Sequence, residues 1–268
     1  MIDAVQKNLY DAFLELTLDS LKNHPFHQFN TKEQIIALSP HYLGLSTAFP
    51  YLQAGAQLKP ILNSIHQNQD IPEHVEITSV VGNFLCWDET GGSYIKETFG
   101  MAGLSKILDT RKWFHANLLR KDLEQVLGFK IIPDFSSPTK PYLISLYEGL
   151  SASDPIVRCA YMVAFETHAK TIIEAFWHSL GRIFGCDLTQ LFYFTSHIHG
   201  ENAAELHHIA MVREMLDRIV SKEESKRFLS TAIQALSESL KWAEKIGRLG
   251  IEKNRETSSS FIESSISL

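Results

Sequence analysis

The sequence predicts an all-α fold, a single domain of about seven helices. Two observations predict it. Apolar residues recur at spacings of three and four along most of the chain, and no period-2 alternation of strand length appears. Proline and glycine are sparse, 9 and 14 among 268 residues, and several stand where helices begin and end.

The first helix covers residues 2–23, with Val5, Leu9, Phe13, Leu14, Leu16 and Leu21 on one face. His24-Pro25 stops it, because proline disfavours helical backbone in the residue before it. Residues 32–67 form one or two helices punctuated by Pro40, Pro50 and Pro60. Pro72 is suited to the first helical position, and that helix runs to Glu89, where Gly91-Gly92 end it. A looser stretch with Gly100 and Gly103 follows. Thr110 caps a helix over 111–127 that Gly128 terminates. Residues 130–140 hold two prolines and two serines and read as a loop. Asp154-Pro155 opens a long helix to Phe184, closed by Gly185. Helices over 188–220 and 222–246 complete a domain of residues 1–251. The Ser-rich remainder, 252–268, reads as a disordered tail.

Composition excludes several classes. A chain 44% apolar and 21% charged can build a core, unlike a disordered one. The net charge of −6 argues against a nucleic-acid partner. No run approaches the roughly 18 apolar residues of a membrane span. The start, MIDAVQKNLYDAFLEL, has no basic region followed by an apolar one, so it is not a signal peptide and the expected location is cytoplasmic. Cys86, Cys159 and Cys186 are too dispersed for a disulfide framework or zinc knuckle. Histidine stands out, with 12 residues.

The most informative segment is HIHGENAAELHH, residues 197–208. With His197 at zero on a helical wheel, Glu201, Glu205 and His208 fall at about 40°, 80° and 20°. Tyr193 and Phe194 before this stripe, and Val212, Met215 and Ile219 after it, are apolar. Burying such ligand-capable groups in a core face is costly unless they are paired or bind a cation. The plainer alternative is a set of surface Glu–His contacts. His199 and His207 lie off the stripe.

Three further candidates stand elsewhere. Glu166 has Met162, Val163, Ala169 and Ile173 around it, with a salt bridge to Lys170 as its plain alternative. Glu89 ends a helix above Val81, Gly82, Leu85 and Cys86, and is otherwise a solvated terminal acid. His115 opens HANLLRKDLEQVLGF at the edge of a core face, where a packing role is the alternative. Carboxylates and imidazoles spread over several helices are the ingredients of a bundle-core site for two iron or manganese ions.

The order of these motifs resembles the heme-oxygenase-like diiron oxidase and oxygenase superfamily, which includes CADD-like proteins and the TENA/PqqC-like fold. The matching segments are CWDETGG (Glu89), HANLLRKDLEQVLGF (His115), VAFETHAK (Glu166) and FTSHIHGENAAELHH (His197 to His208), across about residues 75–220. The resemblance implies a heme-oxygenase-like helical bundle with two bound iron ions, or iron and manganese. It further implies O₂ as co-substrate, an external reductant and a small organic or lipid-like substrate near Phe165, Lys170, Tyr193 and Phe194. Two features depart from the family pattern. Here 26 residues separate Glu89 from His115, where the family keeps acid and histidine within a few turns. The family's closing His-x3-Asp-x2-His reads here either from His197, with Glu201 but then Ala204, or from Glu201, with Glu205 and His208.

Two other functions fit the same scaffold. One is a metal-free or degenerate member acting as a binding or interaction protein. The other is a TENA-like, cofactor-independent hydrolase, which needs a nucleophilic cysteine near an acid. The long amphipathic helices also allow a homodimer.

Overall fold

The computed structural model describes residues 8–198 and 205–266, with side chains for 8–198 and 207–251. Among these residues there is no strand, and the fold is all-α as expected. Eleven α-helices are described rather than about seven. They are α1 (Leu9–Lys22), α2 (Lys32–His66), α3 (Glu73–Glu89), α4 (Gly92–Phe99), α5 (Thr110–Trp113), α6 (His115–Leu127), α7 (Thr139–Leu150), α8 (Pro155–Phe184), α9 (Phe192–Ile198), α10 (Glu205–Ile219) and α11 (Ser225–Ile266). Short 3₁₀ turns lie at Pro25–Gln28, Met101–Leu108 and Leu188–Gln190.

The extra helices arise where short elements break the chain. The looser stretch after Gly92 is α4 and a 3₁₀ turn, and α7 follows the 130–140 loop. In the segment expected as one helix over 188–220, the described residues show a 3₁₀ turn and a break at Leu191 before α9; between α9 and α10, residues 199–204 lie outside the described residues.

α2 departs from expectation in the other direction. Pro40, Pro50 and Pro60 lie inside one continuous helix rather than punctuating it. Each interior proline costs about 3 kcal/mol in isolation. Packing against α3, α6, α7 and α11 compensates, and Pro50 and Pro60 are themselves buried. Thr31 and Gln34 close its start as a reciprocal capping box.

α8 is the axial element. Most of its residues from Ile156 through Leu180 are buried, apart from a strip at Lys170, Glu174 and His178, and it packs against α1, α2, α3, α7, α9, α10 and α11. Asp154 caps it by accepting from the Ile156 N–H at 2.9 Å. Glu166 and His168 therefore sit mid-way along the most enclosed helix in the fold.

The turn after α3 explains how His115 returns to Glu89. Gly91 has φ +85°, a left-handed conformation, and a Cβ there would stand 2.7 Å from the Trp113 carbonyl oxygen. The backbone leading into α6 thus rests directly on the turn that ends α3. Gly91→Ala should lower folding stability by about 2–5 kcal/mol, combining left-handed strain with the clash on Trp113. Chemical denaturation checks this, and a loss below about 1 kcal/mol would show that the turn yields freely.

Candidate metal centre

Five helices deliver six ligand-capable side chains to one region. α3 carries Asp88 and Glu89 in its last turn, α6 starts on His115, α8 carries Glu166, α9 His197 and α10 His208. They fall into two groups.

In the first group, Glu89, His115 and His197 each offer a ligand atom, all within 4.8 Å of one another. Ligands on opposite sides of one first-row ion are separated by roughly 4 Å, so small side-chain rotations bring this set into coordinating range. His115 Nδ1 lies 3.4 Å from Glu89 Oε2, and the His115 and His197 rings meet edge-to-face at 4.8 Å. His197 Nδ1 stands 2.6 Å from the Tyr193 carbonyl oxygen. A carbonyl only accepts, so Nδ1 carries the proton. When the ring is neutral its lone pair then falls on Nε2, the arrangement metal-binding histidines use.

In the second group, His208 lies between two acids. Nε2 is 3.0 Å from Asp88 Oδ2, and Nδ1 is 3.4 Å from Glu166 Oε2. Both acids are almost fully buried, with side-chain exposures of 1% and 5%. Burial works to raise the Asp88 carboxyl, but the hydrogen bond from His208 and the charges of His115 and His208 outweigh it and hold it at about 2. Burial likewise opposes ionisation of Glu89, yet the charge and hydrogen bond of His115 and the charge of His197 keep it below the usual carboxylate range.

Glu89, Glu166, His197 and His208 also line one cavity of about 280 Å³. The rest of its wall is mostly apolar, including Leu45, Phe49, Phe165, Ile173 and Ile209. Phe49 and Phe165 stack there at 4.0 Å. Tyr42 and Tyr193 also line it, and burial pushes the Tyr42 phenol well above its ordinary value.

Of the residues singled out in the sequence, Glu89, His115 and His197 come together in the first group, and Glu166 and His208 in the second. Glu166 faces His208, whereas Lys170 lies 4.0 Å from Glu174. Glu201 lies outside the described residues, as does His199. Glu205 begins α10, but its side chain is not among those described. His207 is exposed, in keeping with its place off the stripe. Phe165, Tyr193 and Lys170 line the cavity. Phe194 does not; it is fully buried against Phe176 in the core.

Sequence reasoning missed Asp88. Its neighbour Glu89 drew attention, while an acid one residue earlier points about 100° away around the same helix. The last turn of α3 projects both inward because α6 and α10 meet it from different directions. Asp122 was missed too. It stands on α6 yet accepts the backbone N–H groups of Phe192 (3.1 Å) and Tyr193 (2.8 Å), capping α9 from a neighbouring helix. Burial pushes its carboxyl up to about 7 against the pull of those N–H groups.

His197 stands in the described part of α9, Phe192–Ile198, whose first turn rests on this cap, so the cap helps set where His197 points. Asp122→Ala should cost about 1–2 kcal/mol of stability. It should also weaken metal binding about tenfold, as loss of an orienting partner does. Calorimetry and metal titration would show it; unchanged metal affinity would mean α9 keeps its place without the cap.

A helical bundle enclosing carboxylates and imidazoles from separate helices defines the class of site. Among solved structures, the chain is similar to a CADD-like protein of unknown function from Nostoc punctiforme, seen in two crystal structures. One matches with TM-score 0.65 at 16% identity, covering 91% of this chain and 97% of the other; the second matches with TM-score 0.65 at 15% identity, covering 91% and 95%. The fold is therefore that of a CADD-like protein. No protein-family model matches the chain, and no curated protein matches it in sequence. No helix among the described residues is long and apolar enough to cross a membrane.

Proposed function

We propose that this protein is an oxidoreductase that holds two iron ions, or iron and manganese, and uses O₂ to oxidise a small organic or lipid-like molecule. The observation that carries this reading is the convergence of Glu89, His115 and His197 beside a mostly apolar cavity that Glu89 and His197 line, with Asp88, Glu166 and His208 close by. Glu89, Glu166, His115, His197 and His208, with one acid from Glu201 or Glu205, are a fitting donor set for two such cations. When bound, the metals supply one-electron chemistry with O₂, and electrons come from an external reductant.

The chain's own residues do the rest. Glu89, His115 and His197 hold one ion; Glu166 and His208, with Glu201 or Glu205, hold the other. Asp88 orients His208 through its hydrogen bond. Phe49, Phe165, Ile173 and Ile209 present an apolar surface to the substrate and restrict water. Tyr193 fixes the His197 tautomer through its carbonyl.

The hydrolase reading has less support. Burial raises the Cys159 thiol to about 12 and raises Cys86 as well, and neither lines the cavity. The test is oxygen uptake by protein loaded anaerobically with Fe(II). Rapid uptake, abolished in Glu166→Ala, supports the reading. Uptake no faster than that of free Fe(II), despite bound metal, contradicts it.

A further inference from the structure

A second cavity, also about 280 Å³, lies on the other side of Glu89. Among the described residues, Glu89 is the only one that the two cavities share. The walls differ in character. The second is more polar, with Thr47 and Tyr51 of α2, Arg111 of α5, and Asn117 and Arg120 of α6 beside the apolar Pro50 and Phe114.

Arg120 is held in place. Its Nη1 donates to Asn117 Oδ1 at 3.1 Å, and Asn117 Nδ2 donates to the Thr110 carbonyl at 2.8 Å. Yet Arg120 Nε and Thr47 Oγ1 are buried atoms without a hydrogen-bond partner among the described residues. Leaving a buried polar group unmatched costs about 1–3 kcal/mol, and more when it is charged. Neither Arg111 nor Arg120 forms a salt bridge within the described residues. Two guanidinium groups thus line one pocket of a chain whose net charge is −6.

From this juxtaposition we infer that the cavity between α2, α5 and α6 binds a small organic monocarboxylate, with the Arg120 and Thr47 side chains turning their unmatched donors to its oxygens and Arg111 adding charge at the rim. A guanidinium fork matches a planar carboxylate. Glu89 favours a monoanion over a more highly charged phosphate, since its own negative charge forms part of the wall. On its other side Glu89 faces His115, whose Nδ1 lies 3.4 Å from its Oε2. Tyr51 and Phe114 offer apolar surface to the body of the acid. The inference does not rest on the metal reading, because the pocket is complete without a metal.

The test uses the full chain, stripped of metal with a chelator, and benzoate as probe at low ionic strength. Calorimetric titration should show saturable 1:1 binding, tighter than that of inorganic phosphate. Arg120→Gln should weaken it at least tenfold and Thr47→Val severalfold, while both variants still unfold cooperatively in the absence of benzoate, which shows that the loss is not one of folding. Arg120→Lys, which keeps the charge but not the fork, should fall between. Equal benzoate binding by wild type and all three variants, no saturation at tens of millimolar, or tighter binding of phosphate would each overturn the proposal.

Discussion

Replacing His115 by alanine is expected to lower Fe(II) affinity at least a hundredfold, about 2.7 kcal/mol, and His197→Ala is expected to do the same. The size follows from the geometry. Each imidazole is one of three described ligands converging within 4.8 Å, so its loss leaves two where three held the ion. Even the removal of a group that merely orients a ligand costs ten- to a hundredfold in related sites. His207→Ala provides the comparison. It removes an exposed imidazole from the same histidine-rich segment and should leave affinity unchanged. If all three variants bind Fe(II) like the wild type, the Glu89–His115–His197 group is not a metal site.

The second large effect is on folding. His24 and His168 meet Nε2 to Nε2 at 2.9 Å, both buried in the core. The Phe26 N–H donates to His24 Nδ1 at 3.2 Å, so that nitrogen carries a lone pair. His24 Nε2 therefore carries the proton and donates it to His168. A further proton on either ring breaks this arrangement. Burial lowers His24 to about 2, with His168 and His27 adding to the effect, and burial lowers His168 to about 3.

The unfolded chain takes up these protons near pH 6.5, whereas the folded chain resists until about 3 or below. The pair's contribution is thus fully present above pH 6.5 and declines as the pH falls toward 3. Each histidine costs about 2 kcal/mol by pH 5, about 4 kcal/mol together, a large share of a typical total stability. The Asp88 carboxyl contributes to the same trend only at lower pH. Its depressed value makes its stabilisation fade between about 4 and 2. Urea denaturation between pH 7.5 and 4.5 should show this fall in the wild type and a flatter profile in a His24→Leu/His168→Leu double variant. A flat wild-type profile would contradict the neutral pair.

How much of this was legible in sequence depended on which physical signal each residue carried. The helical class was legible because apolar periodicity is a local property. Glu166 was legible as a carboxylate among apolar neighbours on a long helix. His197 and His208 were legible from their shared angle with apolar residues before and after them. Helix boundaries inside α2 were misjudged because proline reports local preference, while packing on four neighbouring helices decides the outcome. Asp88 and Asp122 were invisible for a related reason. Their partners, His208 and the start of α9, stand 120 and about 70 residues away, and no spacing rule links them. The place of His115 beside Glu89 depends on the close contact between Gly91 and Trp113, which only the folded chain shows.

The site is tested most directly by diffraction from a crystal soaked anaerobically in Fe(II), with anomalous data collected on either side of the iron edge. An iron peak within about 2.0–2.3 Å of Glu89, His115 and His197, with a second beside Glu166 and His208, is the predicted result. Iron found only at surface carboxylates, with Glu89, His115 and His197 bearing none at full soak concentration, would contradict it.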